Sequence, residues 1–194
     1  RLLSTSLPVY LRKNIQVVLT SSETVIFSEF SNALSNPLIL GIVDFQPLGG
    51  TILVELASNL GFAMIDRMLG GHGDPLEKNR EFSEIEMTII EKMMVICMQL
   101  MREHWKNVVD INPVLERIET NSQFEQIIAP NDMLAIVTLS IKIGDVEGLM
   151  NVCLPFFTLE SVMDKLNTKF WYANMQEQDE EEYDEYIEAL LRRV

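Results

Sequence analysis

Ile65-Asp66-Arg67-Met68 and Met163-Asp164-Lys165-Leu166 repeat one pattern, apolar, acid, base, apolar, at a spacing of 98 residues. The same spacing lays Val54 and Leu56 over Val152 and Leu154. Each copy ends a similar series. In the first, Ile15 to Leu19 reads as a short β-branched strand, and Leu38 to Phe45 and Thr51 to Leu56 read as two more. The turn Gln46-Pro47-Leu48-Gly49-Gly50 joins the last two, and a helix from about Leu60 to Leu69 follows, with Ser58 or Asn59 as N-cap. In the second, Val114 to Thr120 is a strand. Met133 to Ile143 and Val146 to Leu154 form a hairpin around Gly144-Asp145, a favoured two-residue turn. A helix from about Thr158 to Leu166 closes it. Two such units pack around a pseudo-twofold axis, with helices covering one continuous sheet. The expected class is α/β: an internally duplicated α/β/α sandwich with a mixed sheet and a long central helix.

That helix spans roughly Ser83 to Lys106, about 36 Å at the helical rise. Ser83 and Glu86 have the spacing of a capping box. Ile85, Ile89, Ile96 and Leu100 form one apolar stripe, and Ile90, Met94, Cys97 and Met101 a second. Two stripes exceed what one sheet contact requires. Either the helix is buried on two sides, or the second stripe faces a partner.

Composition bounds the rest. A chain of 194 residues with 47% hydrophobic residues suits one domain, or one plus a tail. Glu91 and Lys92 interrupt the best apolar run, so no membrane span or insertion is expected. The first residue, Arg1, suggests a processed chain or an excised fragment. Cys97 and Cys153 lie in apolar patterns, where buried, reduced thiols of a reducing cytosol are the default. The net charge of −14 argues against nucleic acid as partner. Eight carboxylates and no base fall between Glu177 and Glu188, so residues 173–194 read as an acidic linker or tail after a packed domain ending near Trp171-Tyr172.

The segment Asp66-Arg67-Met68-Leu69-Gly70-Gly71-His72-Gly73 carries the clearest functional signal. One glycine suffices to end a helix. Three in four residues, then Asp74-Pro75, give either a flexible loop or main chain that another molecule can approach closely. Catalytic and metal chemistries find no support. His72 and His104 are the only histidines, and neither lies at metal-ligand spacing from cysteine or paired carboxylates. The glycines lack the Lys-Ser/Thr continuation of a phosphate loop, and the acidic run lacks the order of a calcium loop. No cofactor is expected.

Further stretches carry a resemblance. Tyr10-Leu11-Arg12, Phe27-Ser28-Glu29-Phe30, Leu34-Ser35-Asn36-Pro37, Gln46-Pro47-Leu48 and Ile65 to Gly73 resemble, in order and spacing, the middle domain of the flagellar motor switch family FliM. So do Val114 to Phe124 with Glu119-Thr120-Asn121, Pro130-Asn131, and Gly148-Leu149-Met150-Asn151-Val152-Cys153-Leu154-Pro155. The similarity covers residues 1–172 as the middle domain, with 173–194 leading toward a C-terminal domain.

The resemblance implies a CheC-like fold, shared with the chemotaxis phosphatases CheC and CheX. It implies a place in the cytoplasmic ring of the flagellar basal body, peripheral to the inner face of the membrane. Gly70-Gly71-His72-Gly73 would contact the rotor protein FliG, with Met68, Leu69 and Pro75 as apolar anchors and Arg67 and Asp74 as polar rim. Neighbouring copies would lie side by side, with Leu3, Leu7, Tyr10, Ile90, Met94 and Met101 as candidate contacts. Phosphorylated CheY would bind mainly a segment near the full-length N-terminus, and FliN the C-terminal domain; both are absent from this sequence. The related phosphatases set a Glu and, three residues on, an Asn on one helix face. Here Glu91 takes the first position but Met94 the second, and a thioether cannot orient an attacking water. The expectation is a non-enzymatic switch component, with a phosphatase acting on phosphorylated CheY as the alternative.

Overall fold

The computed structural model describes residues 2–75, 80–106, 108–122 and 127–171. In chain order the elements are α1 (Leu2–Leu11), β1 (Ile15–Ile26), α2 (Phe27–Ala33), β2 (Leu40–Gln46), β3 (Thr51–Leu56) and α3 (Ser58–Met68). They are followed by α4 (Glu84–Trp105), β4 (Asn112–Glu119), β5 (Met133–Ile143), β6 (Val146–Pro155) and α5 (Phe156–Trp171). The six strands form one sheet in the order β1-β5-β6-β3-β2-β4. Every pairing is antiparallel, which corrects the expectation of a mixed sheet.

The duplication is written into the register. Exchanging β1 with β4, β5 with β2 and β6 with β3 returns the same order read backwards. At the centre Val54 pairs with Val152, its own equivalent at the 98-residue spacing, so the pseudo-twofold axis passes through that pair. Leu53↔Cys153 and Glu55↔Asn151 then exchange under the axis. The outer strands repeat at a spacing of 96, since Val54 and Val152 pair with Gly41 and Val137. Two residues of difference between the hairpin turns absorb the offset. The irregularities obey the same rule: the β1·β5 register skips Thr20 and the β2·β4 register skips Glu116, again 96 apart. Such bulges twist an edge strand away from further pairing. Each half lends its edge strand to the other half.

The sheet separates two apolar clusters. On one face, Val43, Phe45, Ile52, Val54, Ala135, Ile141 and Val152 pack against α1, α3, α4 and the start of α5. On the other, Leu40, Ile42, Leu53, Leu134, Ile136 and Cys153 pack beneath Phe27 and Phe30 of α2. Burial pushes the Cys97 thiol up to about 12, and that of Cys153 well above its ordinary value, so both behave as apolar side chains. Long α4 lies on the larger cluster. Ile90, Met94 and Cys97 of its second stripe are buried, so that stripe is core rather than a partner surface; Ile85 of the first stripe is exposed, and the helix is buried along one broad face rather than on two sides. Trp105 meets Phe45 edge-on at 5.3 Å and fixes the far end. Among the described residues no helix is long and apolar enough to cross a membrane. The expected acidic tail at 173–194 lies outside the described residues.

At its start α4 carries the predicted capping box, with Ser83 as N-cap and N–H of Ser83 donating to Glu86 Oε2 at 2.8 Å. Arg80 adds a bidentate pair to the same carboxylate, at 2.6 and 2.8 Å. Those Arg80 hydrogen bonds, with the Ser83 donors, lower the Glu86 carboxyl from 4.5 to about 2. The folded chain therefore binds fewer protons here than the unfolded one, and the stabilisation is lost as pH falls from 4.5 toward 2. Urea midpoints of wild type and Glu86→Gln should differ at neutral pH and converge across that window. A difference independent of pH would contradict the pairing.

Candidate functional site

The end of α3 is built residue by residue for a sharp exit. Leu69 is the C-cap, and Gly70 follows at φ +96°, in the region that favours glycine. Gly70 N–H donates to Arg67 O at 3.2 Å and Gly71 N–H to Asp66 O at 2.8 Å, the two bonds of a Schellman motif. The other glycines serve different needs. Gly71 has ordinary backbone, but a Cβ there would collide with the Asp66 carboxylate. Asp66 folds over that bare position to accept from Gly73 N–H at 2.7 Å. Gly73 combines φ +76° with the Arg67 side chain 2.9 Å from where a Cβ would lie.

Basic side chains hold the loop against the neighbouring helix. Arg67 Nε donates to Leu11 O at 2.9 Å and Nη2 to Arg12 O at 2.6 Å, at the end of α1. Its Nη1 donates to Gly71 O. Lys13 Nζ donates to His72 O at 2.7 Å. On the far side of the loop Phe82 stacks on Phe62 with ring centres 4.1 Å apart, and Arg80 lies over Phe62 at 4.7 Å. The connection from α3 to α4 is thus fastened at both ends.

Two expectations change. The loop is not unshielded throughout: Gly73 is buried, Gly71 is half-buried, and two of its carbonyls are taken internally. Arg67 is a brace rather than a polar rim. What the corner displays is Leu69, 71% exposed, with Gly70, His72, Asp74 and Pro75. Met68 is half-buried against the core. The sequence reading missed Asp66, Arg12 and Lys13 as supports. Only Asp66 carried a local signal, an acid standing at the C3 position before a helix-ending glycine.

The other candidates scatter. Of the six residues expected at lateral contacts, Leu7, Ile90 and Met94 are core, which removes them. Leu3 and Met101 are half-buried, and Tyr10 is 47% exposed. Glu91 is exposed, whereas Met94 points inward, its methyl 3.7 Å from a Cβ built on Gly41. The phosphatase positions therefore do not share a surface. Among the described residues no group of three or more His, Cys, Asp or Glu is arranged to hold a metal.

Comparison with known proteins fits this geometry. Residues 1–171 match the family model described as flagellar motor switch protein FliM. The chain is 41% identical over 174 residues to the FliM of Borreliella burgdorferi, covering 89% of the chain and 49% of that protein. It spans about half the length of the curated relatives it matches. The crystal structure of a FliG-FliM complex from H. pylori superposes with a TM-score of 0.81 at 34% identity, covering 84% of the chain and 90% of the other. The crystal structure of the FliM middle domain from H. pylori gives 0.77 at 32%, covering 85% and 90%.

Replacing Arg67 by Ala should lower unfolding stability by about 2 kcal/mol, because three carbonyls, two of them in part-buried hydrogen bonds, lose charge-assisted donors. Arg67→Lys should recover only part, since an ammonium cannot span three acceptors in a fixed fork. Urea denaturation reads both. A loss for Arg67→Ala below about 0.5 kcal/mol, the range of an ordinary surface change, would mean that the clamp bears no load.

Proposed function

Because this chain belongs to the family of the flagellar motor switch protein FliM, we propose that it is the middle domain of a non-enzymatic switch component, which docks FliG through the loop Gly70 to Gly73. The carrying observation is the clamped loop. Asp66, Arg67 and Lys13 fix its main chain before any partner arrives, so docking spends little free energy on ordering it. Leu69 and Pro75 supply apolar contact beside the glycines, and His72 and Asp74 a polar margin. A FliM chain of this family has been crystallised with FliG, which supports the same partner here.

The wider role follows from the family. The domain works at the cytoplasmic face of the flagellar basal body, side by side with further copies, and helps carry the signal of phosphorylated CheY into rotation direction. Phosphorylated CheY and FliN would engage mainly parts of a full-length protein outside this sequence. Val9 and Tyr10, exposed on α1, replace the buried Leu7, Ile90 and Met94 as candidates for lateral contact. Catalysis on phosphorylated CheY is disfavoured by Glu91, which has no partnering amide on its own face.

Leu69→Glu tests the docking role, since its side chain is exposed and its loss leaves the core intact. Affinity for FliG should fall about tenfold or more, the effect of losing an anchoring apolar contact, with an unchanged melting temperature. Undiminished affinity in a titration would refute the assignment.

A further inference from the structure

Two grooves meet at the start of α3, on the side where Pro75 leaves the glycine loop. One, of about 360 Å³, runs from Pro75 and Phe62 past Ser58 and Asn59 to Asp145 and Glu147. The other, of about 340 Å³, continues from Ser58 and Asn59 over Leu149 to Glu55 and Asn151, with Pro37 on its wall. Asn59 is the post between them: its Nδ2 donates to Glu147 O and its Oδ1 accepts from Leu60 N–H, each at 2.8 Å. Together they make one channel that begins at the glycine loop and ends on the sheet face opposite α4.

All charges lining the channel are negative: Asp145, Glu147 and Glu55. The Glu147 end is partly answered, because Lys142 stands opposite it in the β5·β6 register and Ser140 Oγ donates to it at 3.0 Å. The Glu55 end is not. Glu55 is half-buried and accepts from Asn151 Nδ2 at 2.7 Å, with no salt bridge among the described residues. Asn151 Oδ1 is itself buried and without a hydrogen-bond partner. The donation from Nδ2 to the carboxylate fixes which atom is the oxygen. The Glu55 carboxylate, which lines the groove and has no ion-pair partner among the described residues, matches a donor-rich cation.

We infer that the channel receives a lysine or arginine side chain of the same protein that docks on the glycine loop, carried on an extended segment running from Pro75 toward Glu55. The inference rests on the docking role proposed for that loop. Continuity with Pro75 ties the segment to the docked partner, and the sign of the lining sets its charge. A second copy of this chain is a poor donor, having 29 acidic residues against 15 basic.

Titration of FliG with the 194-residue chain tests it. Glu55→Gln should bind about tenfold more weakly, as expected when one member of a sequestered charge pair is removed, with a shallower salt dependence and an unchanged melting temperature. Leu149→Lys, which brings an internal cation to the groove floor, should weaken binding similarly and serves if Glu55→Gln folds poorly. Wild-type affinity for both variants, with Leu69→Glu still impaired, would overturn the channel while leaving the loop in place. Wild-type affinity for Leu69→Glu as well would remove the docking role and this inference with it.

Discussion

A single guanidinium, that of Arg67, ties the end of one helix to the loop that leaves another. It donates to Leu11 and Arg12 at the close of α1 and to Gly71 in the loop, so three carbonyls at two chain exits share one planar donor. Without it the C-terminal carbonyls of α1 and the glycine turn would depend on water and be free to part. Asp66 works from the other side, capping Gly73 through a space that only glycine at position 71 leaves open. Opposite charges on adjacent residues thus set one short stretch of main chain, and Leu69, His72 and Pro75 are presented from it as from a rigid mount.

The mount stands on one continuous six-stranded sheet. Val54 and Val152 meet on the pseudo-twofold axis, and the halves exchange edge strands around them. Neither half could close its own sheet. The repeat was legible because its most buried residues stand at matching positions. Strand direction was not, since an apolar pattern says which face is buried but not which way a neighbour runs. The far half of β1, Thr20 to Ile26, was also missed. It is an edge stretch rich in Thr, Ser and Glu, without the apolar alternation that marks a strand. Helix α2 escaped notice because seven residues are too few to show a helical period. Its two aromatics, Phe27 and Phe30, nevertheless cap the smaller core.

At the site, the glycines were legible as a helix exit, but their separate tasks were not. Only Gly70 and Gly73 need the left-handed backbone; Gly71 is needed for what lies against it. That distinction depends on the Asp66 side chain, whose reach no local pattern reveals. The second stripe of α4 posed the reverse difficulty. Its apolar width also fitted a partner surface, and only the position of α4 over a wide antiparallel sheet decides for burial.

A preformed loop suits a ring component that must bind and release as neighbours tilt, since little ordering free energy stands between the two states. Hydrogen exchange at the Gly71 and Gly73 amides of the free chain tests that claim most directly. Both are bonded to Asp66, so both should exchange slowly before any FliG is added. Exchange at unprotected rates, with slowing only once FliG binds, would show a loop that folds on its partner and contradict a corner prepared in advance.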